Sequence, residues 1–204
     1  MNPVLILFAH PAFERSRVNR ALCEAARQVE GVTFHDLYEH YPDFAIDVKR
    51  EQALLEEHQV IVWQHPFYWY SAPALLKEWL DVTLEHGWAF GSEGDALEGK
   101  WALQAVTTGG GEDSYRRAGY NRFTVRELLA PFEQSARLCG MDYLPPFVVH
   151  GTHRFTSHQD AAPHVSGYAH VLADLRDGRY ELGSLKGLDR LPCTQQLAAE
   201  GGAQ

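Results

Sequence analysis

The sequence predicts an α/β fold: a three-layer sandwich in which helices cover both faces of a five-stranded parallel sheet of order 2-1-3-4-5. Three observations predict it. Five short apolar runs alternate with segments whose apolar residues recur at helical spacing, which implies right-handed crossovers between parallel strands. The runs are apolar nearly throughout, as in strands buried on both faces. Groups suited to a ligand follow the first, third and fourth runs, and in this strand order those three carboxyl ends surround one crevice. The 204 residues suit one core, so residues 1–182 are expected to form one domain and residues 183–204, polar, small and without period, a mobile C-terminal tail.

Residues 4–9 form the first expected strand, and residues 18–29 an amphipathic helix after the loop that begins at His10. A helix start presents unpaired N–H groups and partial positive charge, so His10, Ser16, Arg17, Val18 and Asn19 form a candidate phosphate site; Ser16 alternatively only caps the helix. Residues 32–37 are the second strand, residues 38–47 an irregular connection, and residues 50–57 a short polar helix. The third strand, residues 60–63, is ended by His65 and Pro66. Phe67, Tyr68, Trp69 and Tyr70 follow at once, suiting either a flat aromatic ligand or a subunit interface. Ser71 is expected to cap the next helix, with Pro73 in its first turn and Ala72, Leu75, Leu76, Trp79, Leu80 and Thr83 on its apolar face. Residues 87–99 read as an exposed loop whose Trp88 and Phe90 meet a ligand or a second subunit. The fourth strand, residues 101–108, runs into Thr108, Gly109, Gly110 and Gly111, where absent side chains let backbone N–H groups approach a ligand edge; the competing reading is a flexible turn. Residues 123–138 are a helix kinked at Pro131, residues 143–150 an edge strand interrupted by Pro145 and Pro146, and residues 159–176 the last helix.

With 18 Lys plus Arg against 27 Asp plus Glu, the formal charge of −9 argues against nucleic acid as a partner. No run approaches the roughly 18 apolar residues of a membrane span, and the start lacks a charged-then-apolar signal, so a cytoplasmic location is expected. Cys23, Cys139 and Cys193 are odd in number and scattered, suiting reduced thiols and no metal site.

The start at His10 and Ser16 to Asn19, the stretches QHPFYWYSAPALLKEWLD and GWAFG, and VTTGGGE together resemble the flavodoxin-like NAD(P)H:quinone oxidoreductases, most closely the Kef-type glutathione-regulated potassium-efflux ancillary proteins. The resemblance spans roughly residues 4–176, including HDLYEHYPDFAIDVKREQALL and LPPFVVHGTHR. It implies FMN rather than FAD as cofactor, NADH or NADPH as co-substrate, a quinone as acceptor and ping-pong two-electron transfer; a homodimer with the flavin near its interface is expected because Trp88, Phe90 and the aromatic turn offer more apolar surface than a small ligand needs. It also implies, as the alternative role, an ancillary subunit that binds and activates a membrane potassium-efflux transporter, peripheral to the inner face of the membrane. By position, His10 and Ser16 to Asn19 would hold the flavin phosphate, and Phe67 to Tyr70 with Thr108 to Gly111 the isoalloxazine. Tyr115 matches a family tyrosine that stabilises charge during hydride transfer. Tyr120 and Asn121 occupy the region of the family's histidine, which leaves Tyr120 as the second catalytic candidate. A single-electron carrier is the third reading, less suited to a chain that spends many aromatics on enclosing its ligand.

Overall fold

The computed structural model describes residues 1–185 and 187–192. In chain order its elements are β1 (Val4–Phe8), α1 (Arg17–Ala26), β2 (Val32–Asp36), α2 (Leu37–His40), α3 (Val48–Glu57), β3 (Val60–Pro66), α4 (Ala74–Thr83), β4 (Trp101–Thr107), α5 (Val125–Leu128), α6 (Ala130–Leu138), β5 (Asp142–Tyr143), β6 (Phe147–Val149), α7 (His158–Arg176) and α8 (Leu182–Leu185). The sheet is parallel, in the order β2-β1-β3-β4-β5, with β6 continuing the edge beside β4. This is the flavodoxin-like arrangement expected from the sequence.

The alternation of strand side chains divides the core. Leu5, Leu7, Ile61 and Trp63 face α3, α4 and α6, whereas Val4, Ile6, Phe8, Val60 and Val62 face α1 and α7.

Several elements differ from expectation. β3 does not stop at Trp63 but pairs with β4 as far as Pro66 and Thr107. Gln64 is tolerated inside because its amide oxygen accepts from Tyr168 Oη at 2.9 Å and its amide nitrogen lies 3.4 Å from Cys23 Sγ. Ser71 does not cap α4: it forms a bridge with Tyr68, and the helix starts after Pro73 without a side-chain cap. The connection after β2 contains α2, started by Asp36 accepting from the amides of Tyr38 and Glu39. The helix expected over residues 123–138 is two helices, α5 and α6, broken at Leu129 with Pro131 in the first turn of the second. Trp88 and Phe90 are partly buried. They pack on their own core, and Trp88 Nε1 donates to Glu56 Oε1 at 2.9 Å.

Residues 183–185 and 187–192, within the stretch expected to be a tail, lie against the domain. Leu185 and Leu191 are buried, Leu191 N–H donates to Pro146 O at 2.8 Å, and Tyr180 Oη donates to Pro192 O at 2.8 Å. The other tail positions, Cys193 included, are outside the described residues. Among the described residues no helix is long and apolar enough to cross a membrane.

A buried carboxylate fixes the layer behind the aromatic turn. Glu51 on α3 is fully buried; its Oε1 is 2.9 Å from His35 Nε2 of β2 and accepts from Tyr41 Oη at 2.5 Å, while Oε2 accepts from Trp79 Nε1 of α4 at 2.7 Å. Three segments therefore converge on one side chain, and α4 is anchored two turns after it leaves the aromatic turn.

Candidate functional site

A cavity of about 500 Å³ opens at the carboxyl edge of the sheet, between the loop after β1, the turn after β3, the end of β4 and residues 152–155. That size suits a nucleotide-like ligand.

Its floor is the start of α1. Ser16 Oγ accepts from Asn19 N–H at 3.2 Å, so the N–H groups of Arg17 and Val18 are first-turn donors that the helix cannot satisfy by itself. Asn19 is buried and ties the helix to the sheet: its Nδ2 donates to Ser16 Oγ and to Thr107 Oγ1, both at 3.0 Å, while its Oδ1 has no partner. Arg17 reaches across the cavity mouth, donating to Phe155 O at 3.1 Å and Thr156 O at 3.3 Å, so it braces the opposite rim. His10 is buried; its Nδ1 accepts from Ala12 N–H at 3.1 Å, which puts the ring proton on Nε2. Burial pulls its pKa below the ordinary value against an opposing backbone hydrogen bond, so it is a neutral donor at pH 7.

One wall is the aromatic turn. Phe67 and Tyr68 line the cavity, but Trp69 is 93% exposed and Tyr70 is turned away, its Oη donating to Asn121 Oδ1 at 3.2 Å. Trp69 and Tyr70 have φ of +51° and +62°, a left-handed conformation that costs bulky residues roughly 1–2 kcal/mol each. Strain of this kind in two successive aromatics marks a turn held for a purpose other than stability.

The glycine loop after β4 has a role that sequence reading did not foresee. A β-carbon at Gly109 would collide with His153 Nε2, one at Gly110 would come within 3.1 Å of the Tyr115 ring, and one at Gly111 would collide with Arg154 Nη2. The glycines thus admit side chains of this chain as well as a ligand edge, and of the loop only Gly109 lines the cavity. The loop carbonyls are engaged within the protein: Gly110 O accepts from Gly151 N–H at 2.9 Å and from Thr108 Oγ1 at 2.7 Å. Gly151, at φ +69°, turns the chain so that His150 and residues 152–155 wrap the loop.

Tyr115 packs 5.9 Å from Phe67 and 5.5 Å from His150, centroid to centroid. Burial, aided by Tyr70, raises its pKa, so its hydroxyl keeps its proton at neutral pH. The Thr108 hydroxyl spends its hydrogen on Gly110 O and accepts from His150 Nδ1 at 3.1 Å, which fixes the tautomer of that ring. Burial depresses His150 to about 4, and the ring is neutral at pH 7. The structure does not bring Tyr120 to this group. Its side chain is 90% exposed, because the loop closes through Asn121, whose N–H donates to Ser114 O at 2.9 Å.

Thr107, Thr152, His153 and Phe155 also line the cavity and were not singled out from sequence. The rule that pointed to the other strand ends applies to β6 as well, since His150 to Phe155 directly follow it.

Residues 2–172 match the family described as having a flavodoxin-like fold. Over 151 residues the chain is 54% identical to the glutathione-regulated potassium-efflux system ancillary protein KefG of Serratia proteamaculans, covering 74% of this chain and 82% of that protein. The general stress protein 14 of Treponema denticola, solved in complex with FMN, is 40% identical with a TM-score of 0.77, covering 87% of this chain and 99% of that one. An NADPH-quinone reductase from P. pentosaceus is 33% identical with a TM-score of 0.76, covering 84% and 98%.

Proposed function

The chain belongs to the family with the flavodoxin-like fold, and from that membership we propose that it is an FMN-dependent NAD(P)H:quinone oxidoreductase working by a ping-pong mechanism. The observation that carries the proposal is the meeting, in one cavity, of a helix start, the His10 donor and Phe67 and Tyr68 of the aromatic turn. The solved relative in complex with FMN and the relative described as an NADPH-quinone reductase support it. FMN rather than FAD is favoured because the chain has a single phosphate-type helix start and no GxGxxG motif.

FMN, when bound, would supply the chemistry of two-electron transfer between NADH or NADPH and a quinone. The protein binds and orients. The Arg17 and Val18 amides and His10 Nε2–H would hold the phosphate, Phe67 and Tyr68 would hold the ring, and the loop from Gly109, which lines the cavity, to Gly111 would offer amides to an edge where negative charge develops. Tyr115 holds its proton at Oη and donates a hydrogen bond toward that charge. Tyr115→Phe is therefore expected to slow flavin reduction by NADPH roughly tenfold, about 1.4 kcal/mol, with FMN affinity nearly unchanged. Stopped-flow reduction checks this, and equal rates would remove Tyr115 from the catalytic group.

The 54% identity to a potassium-efflux ancillary protein supports a second role, binding to a membrane transporter at its cytoplasmic face. Oxidation of NADPH with a soluble quinone, measured without any membrane, tests the enzyme reading; no turnover by the flavin-loaded protein would leave only the ancillary role. The exposed Trp69, Tyr120 and Phe123 suit a homodimer that covers them. Light scattering is expected to give twice the chain mass of 23.0 kDa at micromolar concentration, and a fully active monomer would contradict the dimer.

A further inference from the structure

Phe155 forms a partition: it lines the main cavity on one side and, on the other, a second cavity of about 310 Å³. The second space is walled by Glu112 from the glycine loop, His150 from the end of β6, Arg154, His164 from α7, and Arg190 from the segment after α8. These residues are distant in sequence and are gathered only by the fold.

The charge around this space is unbalanced. Arg154 lies over Gly111 and beside Gly151, which lack the β-carbons that would block it, and it has no carboxylate partner among the described residues. Arg190 Nη1 is 3.4 Å from Glu112 Oε2, but Glu112 also serves Arg116 at 3.8 Å. Both histidines sense this field. Burial is the main reason their pKa values are low, and Arg190 lowers each further, while Glu112 opposes the shift at His150. With Nδ1 of His150 committed to Thr108, its Nε2 is the site that gains a proton if a negative charge enters. His164 stacks on Phe155 at 5.5 Å and 17°, giving the cavity a flat side.

Planar guanidinium groups flanking a recess, one of them unpaired, match the geometry and charge of a phosphate monoester better than that of a neutral ligand. We infer that the second cavity is a phosphate subsite and, resting on the reductase reading, that it takes the 2′-phosphate of NADPH and so selects NADPH over NADH. Two phosphates then bind on opposite sides of Phe155: that of FMN at the start of α1 and that of the reductant between Arg154 and Arg190.

The test uses the purified protein with the cofactor it retains, inorganic phosphate and 2′-AMP as calorimetric probes, and steady-state oxidation of NADPH and NADH, for wild type and Arg190→Gln. Arg190 is exposed and belongs to neither the main cavity nor the core. Wild type is expected to bind 2′-AMP with proton uptake at pH 7. Arg190→Gln should weaken that binding roughly tenfold and raise the KM ratio of NADPH to NADH by a similar factor, the loss of one charge-assisted contact. Phosphate binding that depends on Arg190 with an unchanged KM ratio upholds the subsite and overturns its assignment to the reductant, making free phosphate the ligand. No Arg190-dependent binding of either probe overturns the inference. A protein that binds the probes in this way but oxidises neither dinucleotide refutes the reductase reading and leaves the subsite standing.

Discussion

Asn19→Asp is expected to weaken FMN binding by roughly a hundredfold while preserving the fold. The substitution replaces one heavy atom, the amide nitrogen by an oxygen, and leaves both neighbours able to bond, because the hydroxyls of Ser16 and Thr107 can donate to a carboxylate where they now accept from the amide. An acidic residue at the third helical position is compatible with a helix start. What it adds is a negative charge within one turn of the site assigned to the phosphate. A like charge about 5–6 Å away, at an effective dielectric near 20, costs about 3 kcal/mol per unit charge, or a factor of about 100. Fluorescence titration of the apoprotein checks this, with riboflavin as the control because it lacks the phosphate. Riboflavin affinity should change little. An equal loss for both flavins would mean that the substitution damages the cavity, and a loss under about threefold for FMN would place the phosphate elsewhere.

Glu51→Ala is expected to cost about 4 kcal/mol of stability, because it strands buried groups on His35, Tyr41 and Trp79 that now share one carboxylate. For a chain of this size that lowers Tm by roughly 8–16 °C. Glu51→Gln keeps the shape and one acceptor, so its loss should be smaller. The pH dependence has a definite sign. Burial, the largest single influence, pushes the Glu51 carboxyl up, but the hydrogen bonds from His35, Tyr41 and Trp79 outweigh it and leave the folded-state pKa below the ordinary value. A carboxyl depressed in the folded state contributes stability that is present above its unfolded pKa of about 4.3 and is lost as pH falls through the folded value. The difference in Tm between wild type and Glu51→Ala should therefore be full at pH 6–7 and shrink below about pH 4. A difference that is constant across this range would show that packing, not the charge, sets the loss.

The layers of the fold were legible because they rest on periodicity. Val4, Ile6 and Phe8 against Leu5 and Leu7 already state a strand covered on both faces, and the helix starting near Arg17 follows from its apolar spacing. What escaped was set by partners remote in sequence. Gln64 and His65 look like the end of a strand, yet Tyr168, 104 residues away in the case of Gln64, supplies the bond that lets the strand continue. Leu185 and Leu191 fall in a stretch without period, and they are buried in the core cluster that holds Leu144, Phe147 and Tyr180, Leu191 N–H being held by Pro146 O.

The site divides in the same way. The Ser16 to Asn19 start and the aromatic turn are local motifs, so their positions could be read directly, although it is the fold that turns Trp69 outward and brings Arg17 to the opposite rim. The glycine loop was recognised but its neighbours were not. Gly109 and Gly111 are small because His153 and Arg154 lie over them, a pairing across more than forty residues that no spacing rule encodes. Tyr120 is a candidate only because it falls where the family has its histidine, and the loop that closes through Asn121 turns it outward.

The proposed function requires that this cavity hold a flavin and that electrons pass in pairs from a nicotinamide dinucleotide to a quinone. Anaerobic titration of the purified protein, followed by its visible spectrum and by chromatography of the acid-released cofactor, tests this most directly. The expected result is FMN in the released fraction, bleaching complete at about one equivalent of NADPH, and recovery of the oxidised spectrum on adding about one equivalent of a soluble quinone. A protein that neither retains nor rebinds flavin, or whose bound flavin is not reduced by NADPH or NADH, would contradict it.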